Sequence, residues 1–114
     1  MPYTINEQKT FPQPPEKVFQ AVKAACTGLE GKILKEDAEA KLVNIQFPKT
    51  IHGQTLGDRT VFNTQLTPAG EGTTLVVEAF PVDAVGRKLM FGARKGVTRT
   101  VVDWFWAHID HNLK

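Results

Sequence analysis

The chain is short of several things, and each shortage excludes something. It has a single cysteine, Cys26, among 114 residues. One cysteine excludes an internal disulfide and fits a reducing, cytoplasmic setting. No stretch approaches the ~20 apolar residues of a membrane span, and the N-terminus has no apolar signal core, so stable membrane insertion is not expected. Charge of one sign is scarce too: 14 Lys and Arg against 12 Asp and Glu leave a formal +2. That is too little to imply a nucleic-acid partner, and the basic residues are not interleaved with aromatics as on a strand platform. Internal repeats, low-complexity tracts and linkers are missing as well. The length suits one domain, residues 1–114.

What is present is periodicity. At about 100° per residue, Val97, Val101, Val102, Phe105, Ile109 and Leu113 fall in one arc. Arg99, Asp103, Asp110, His111 and Lys114 fall opposite. Residues 97–113 therefore read as a long helix that must cover an apolar surface. Residues 3–11 read as a first strand that ends at prolines. Pro14 and Pro15 suit the first turn of a helix over 14–27, with Glu16 at its positive end and Gly28 as its stop. Strands follow at 32–36, 41–47, 58–66 and 73–82. In the second of these Val43, Ile45 and Phe47 share a face. Thr60, Phe62, Thr64 and Leu66 share one in the third, and Leu75, Val77 and Ala79 in the fourth. Turns fall at 37–40 and 68–72, while 50–57 carries no clear pattern. Strands joined by short turns give an antiparallel sheet, hence an α+β fold with about five strands in the order β-α-β-β-β-β-α, gripping the last helix.

The run Phe11-Pro12-Gln13-Pro14-Pro15-Glu16-Lys17-Val18-Phe19-Gln20-Ala21-Val22 resembles the usual opening of the START-like, or Bet v 1-like (SRPBCC), superfamily. Such domains open with a strand, a proline-marked turn and a helix that starts with an acidic residue and an aromatic-aliphatic pair. The terminal amphipathic helix is similar to that superfamily's helix-grip arrangement. The chain departs from it in passing almost directly from Gly28–Gly31 into a strand, without a second short helix, as a short divergent member would. The resemblance implies a cavity between sheet and helix that holds apolar or amphipathic small molecules. It carries over no catalytic residue, since the superfamily has no shared catalytic motif.

Several residues are candidates for chemistry, and each also has a plain packing role. Arg94 shares the arc of Val101 and Phe105 if the last helix begins near Arg87, and an arginine there would pair with a ligand carboxylate or phosphate. Gly92 and Gly96 argue instead for a break before Val97. Arg87, Lys88, Arg94, Lys95 and Arg99 form a basic run suited to an anionic surface or to plain solvation. His108, His111 and Asp110 offer too few converging ligands for a metal, with His52 in an unassigned segment. Trp104, Phe105 and Trp106 place Phe105 toward the core and a tryptophan on each flank, either at a pocket mouth or in a dimer contact. Cys26 lies on an apolar helix face and reads as inert. Glu78 alternates with Val76 and Phe80, on either the concave or the exposed face of the sheet.

The leading reading is a small-molecule-binding domain in which Phe62, Leu66, Val101 and Phe105 line a cavity and Arg94 orients an anionic end. The alternative is a structural or interaction module with a filled core, self-associating as a homodimer or binding a partner through the C-terminal helix. Short length favours the alternative, because a domain this small has little core volume to leave empty. No residue set specifies a reaction, and no cofactor or metal is implied.

Overall fold

The computed structural model describes residues 4–89 and 96–113. The chain is α+β. Its elements run β1 (Ile5–Phe11), α1 (Pro15–Gly28), β2 (Lys32–Asp37), β3 (Leu42–Phe47), β4 (Thr50–Ile51), β5 (Gln54–Thr55), β6 (Arg59–Ala69), β7 (Gly72–Val82) and α2 (Val97–Asn112). Five strands form one antiparallel sheet in the order β1-β7-β6-β3-β2. The first two strands in sequence are thus the two edges, and α1 carries the chain from one to the other. β4 and β5 pair separately as a small hairpin.

Strict alternation gives the sheet one dry face. Val43, Ile45 and Phe47 of β3, Phe62 of β6 and Leu75, Val77 and Ala79 of β7 are fully buried. Their sequence neighbours Asn63, Gln65, Val76 and Glu78 point the other way and are at least partly exposed. Both helices cover the dry face. α1 contributes Val18, Val22, Ala25 and Cys26, and α2 contributes Val101, Val102, Phe105 and Ile109. Phe105 is the centre of this core. Its ring sits 4.9 Å from Phe62 and 6.4 Å from Phe47, edge to face in both cases.

Three boundaries differ from the sequence expectation, each for a physical reason. β6 continues through Pro68 to Ala69, because the turn into β7 needs only Gly70 and Glu71. Gly70 takes φ 62°, as the first position of a type II′ turn requires. Gly28 is the last residue of α1 rather than its stop, and the left-handed residue is Glu30. The patternless 50–57 segment holds the β4–β5 hairpin, whose two-residue strands are too short to show a period.

One glycine is fixed by a close approach. A Cβ on Gly72 would lie 2.1 Å from the Phe11 carbonyl oxygen. The chain leaving β1 passes over β7 at this point. It is tied there by the Thr73 hydroxyl donating to the Gln13 carbonyl at 2.9 Å, while the Gln13 amide donates to the Leu113 carbonyl at 3.0 Å. The end of α2 is thereby held to the start of α1.

Candidate functional site

The end of α1 is unusual. Glu30 N–H donates to the Thr27 carbonyl at 3.1 Å and Gly31 N–H to the Cys26 carbonyl at 2.8 Å, the paired bonds of a Schellman close. The position that normally takes glycine is occupied by Glu30, at φ 62°. A side chain there costs on the order of 1 kcal/mol. Its carboxylate accepts the His52 backbone N–H at 3.0 Å and lies 3.6 Å from His52 Nδ1. His52 is itself left-handed, at φ 50°, followed by Gly53 at φ 80°. Two successive positive φ values make the tight turn between β4 and β5. His52 Nε2 then donates to the Gly28 carbonyl at 2.6 Å. A carbonyl only accepts, so this bond places a proton on Nε2. Two residues in costly backbone conformations thus clasp each other, and the clasp anchors the hairpin to the end of α1.

Beside the clasp, between the hairpin and α2, lies an open concavity of about 320 Å³. Leu29 and Ile51, both almost wholly buried, and Ala107 form its apolar wall. Trp104 and His108 line it from α2, one helical turn apart, and His52 and Gln54 line it from the hairpin. His108 lies directly against Gly28: a Cβ there would fall 2.8 Å from two atoms of the imidazole. Glycine at 28 therefore lets α2 bring this ring to the end of α1. The side chains of Gln54, Trp104 and His108 have no hydrogen-bond partner among the described residues. Three polar edges are consequently available to something in the concavity.

The residues singled out in the sequence divide between core and surface. Phe62, Val101 and Phe105 are fully buried and Leu66 nearly so. The structure brings them together as a packed core, and none of the four lines the concavity. Arg94 lies outside the described residues, as does Lys95. α2 begins at Val97, one residue after a left-handed Gly96, and not near Arg87. The described members of the basic run each have a partner. Arg87 pairs with Asp83 at 3.3 Å, Lys88 lies 4.7 Å over the Phe80 ring, and Arg99 meets Glu7 and Asp103, each at 2.7 Å. Glu78 lies on the face away from the helices and accepts the Asn63 amide at 3.0 Å. Cys26 is buried, and burial pushes its thiol up to about 11. No three His, Cys, Asp or Glu side chains converge among the described residues as a metal would need.

The two tryptophans do flank Phe105, with different duties. Trp104 faces the concavity. Trp106 faces the β1 edge, where its Nε1–H donates to Glu7 Oε1 at 2.9 Å. Glu7 also accepts Arg99 Nη1 at 2.7 Å and Nη2 at 3.0 Å, a forked pair. The Arg99 hydrogen bonds, then that of Trp106, hold the Glu7 carboxyl below its ordinary value against the opposing effect of burial. This cluster fastens α2 to the edge strand. Sequence reasoning placed Arg99 on the solvent side of α2 and had no signal for its partner ninety-two positions away.

No protein-family model and no curated protein sequence matches the chain. Solved structures do. The fold is similar to that of Ara h 8.0201, with TM-score 0.68 and 16% identity over 97% of both chains. It is also similar to protein MLL2253 from Mesorhizobium loti, with TM-score 0.60 and 17% identity over 96% of both chains. A third likeness is to a norcoclaurine synthase point mutant from Thalictrum, described in complex with a transition-state analogue, with TM-score 0.54 and 9% identity over 97% of this chain and 96% of that one. The chain thus has a Bet v 1-like fold. Among the described residues no helix is long and apolar enough to cross a membrane.

Proposed function

We propose that the chain is a divergent START-like domain that binds an apolar or amphipathic small molecule. The observation that carries this is the 320 Å³ concavity, with its apolar wall and its three side chains lacking hydrogen-bond partners among the described residues. Small-molecule sites run from roughly 300 to 1,000 Å³ and combine an apolar lining with a few placed polar groups. The Bet v 1-like fold supports the reading, as does the small molecule held by the norcoclaurine synthase neighbour. In this reading Phe62, Leu66, Val101 and Phe105 act as the firm core against which the ligand-facing residues of α2 are held. Were the ligand to carry an anionic end, Arg94 would be the sequence's candidate to meet it, and Arg94→Ala tests that. The primary experiment is native mass spectrometry of the purified protein, followed by solvent extraction. A co-purified small molecule is the expected result. A clean apo mass together with no uptake of an apolar dye would overturn the reading.

One observation favours a second reading. Phe47, Phe62 and Phe105 leave no exposed surface, so the space between sheet and helix is filled. A filled core suits a structural or interaction module that self-associates or binds a partner through α2. Light scattering separates the two: a mass of twice the chain that persists on dilution supports the module.

A further inference from the structure

We infer that the concavity beside α2 takes an uncharged aromatic molecule of one or two rings with a polar edge. The inference rests on the small-molecule reading above and narrows it to a ligand class. Four observations lead there. The volume of about 320 Å³ lies at the small end of ligand sites. Flat partners line it: the Trp104 indole and the His108 imidazole come from the same side of α2, one turn apart, opposite Ile51 and Leu29. Aromatic rings prefer offset or edge-to-face contact with such surfaces, by about 0.5–1.5 kcal/mol beyond area alone.

The third observation is polar. His52 Nε2 is committed to the Gly28 carbonyl, whereas the side chains of Trp104, Gln54 and His108 have no hydrogen-bond partner among the described residues. The indole N–H donates. The amide and the neutral imidazole each donate and accept. A ligand edge bearing N–H or O–H would therefore find both kinds of group. The fourth is electrostatic. Among the described residues no lysine or arginine lines the concavity. A fixed negative charge, the Glu30 carboxylate, stands beside His52, 3.6 Å from Nδ1. An anion would be desolvated without a cation and would meet a like charge, which is unfavourable.

The test titrates the full chain, by calorimetry or amide chemical-shift mapping, with three probes. Indole is a neutral aromatic with an N–H edge. Indole-3-carboxylate adds a charge to the same rings. Octanol is neutral but aliphatic. The expected result is that indole binds at least tenfold more tightly than either of the others. It should shift the amides of Gln54, Trp104 and His108. Ala107→Phe, on an exposed helix position, fills the concavity and abolishes binding while the protein stays folded. His108→Phe keeps a ring but removes its polar edge, and weakens indole binding about fivefold. Equal or tighter binding of the carboxylate or of octanol overturns the ligand class and leaves the small-molecule reading standing. Unchanged indole affinity in Ala107→Phe overturns the location. If all three probes are silent, extraction decides how much falls. A co-purified ligand of other chemistry overturns the class alone, and a clean apo mass overturns both.

Discussion

The two sides of α2 are built on opposite principles. Toward the sheet, Phe105 packs edge to face on Phe62 and Phe47 within a buried apolar cluster. Toward the β4–β5 hairpin, the same helix presents Trp104, Ala107 and His108 to a concavity. His52, which lines that concavity, and Glu30, which grips His52, are both in left-handed backbone conformations. Native packing density leaves no room for a ligand in the first region. The open volume belongs to the second, together with the left-handed Glu30 and His52 and the polar edges of Gln54, Trp104 and His108. The packed side and the open side of α2 are thus one residue apart, from Phe105 to Trp104, about 100° around the helix, and the separation can be broken from either side.

The core side gives the largest effect. Phe105→Ala removes a fully buried ring at the centre of three aromatic contacts. The expected loss is about 3–5 kcal/mol, read as a lower denaturant midpoint with an unchanged slope. A loss under about 1 kcal/mol would mean that the interior collapses around the gap and that the core is less specific than its geometry. Gly72→Ala comes next. Its Cβ would meet the Phe11 carbonyl oxygen, a backbone atom that cannot swing aside. Overpacking costs about 1–3 kcal/mol, and a thermal melt of the variant checks it.

Legibility in the sequence follows the same division. β3, β6 and β7 alternate because each has one dry face and one wet face, and α2 shows its arc because a single wide surface lies beneath it. The core could therefore be read from periodicity alone. The concavity draws on three separate segments: Leu29 at the end of α1, Ile51 to Gln54 in the hairpin, and Trp104 to His108 in α2. No local pattern links them. The β4–β5 hairpin is two residues per strand with a His-Gly turn, where Asn-Gly would have been a clear sign. Gly28 shows the limit in a single residue. Near the end of a helix a glycine reads as a stop, but its use here is to admit the His108 ring, and the left-handed duty falls on Glu30, which no propensity would choose.

The fastening of α2 to β1 sharpens the comparison through pH. Glu7 accepts three hydrogen bonds, from Arg99 and Trp106, and its carboxyl titrates below the ordinary value of 4.5. A carboxyl lowered in the folded state stabilises the fold above its unfolded value, and the contribution disappears as pH falls through the folded value. Glu7→Gln keeps the shape and removes the charge. At neutral pH it should lower stability by about 1 kcal/mol, discounted because the pair is partly exposed. Below pH 4.5 the difference between variant and wild type should shrink, which paired urea titrations at pH 7 and pH 3 would show. A gap that stays constant with pH would assign the effect to lost packing. Ligand affinity at neutral pH should not change, because the cluster lies on the β1 side.

The smallest stability effect belongs to the residue that joins the two regions. Gly28→Ala places a methyl 2.8 Å from the His108 ring. That ring is a half-buried side-chain end, so it can swing away, unlike the carbonyl at Gly72. Gly28 is also the last helical residue of α1, where alanine is favoured over glycine by up to about 1 kcal/mol. The two effects nearly cancel, and the thermal midpoint should move little in either direction. The concavity should change nonetheless, because its His108 wall has been displaced. Indole affinity should fall severalfold with stability intact. A lower midpoint with unchanged affinity would make the His108 ring part of the core and erase the division drawn along α2.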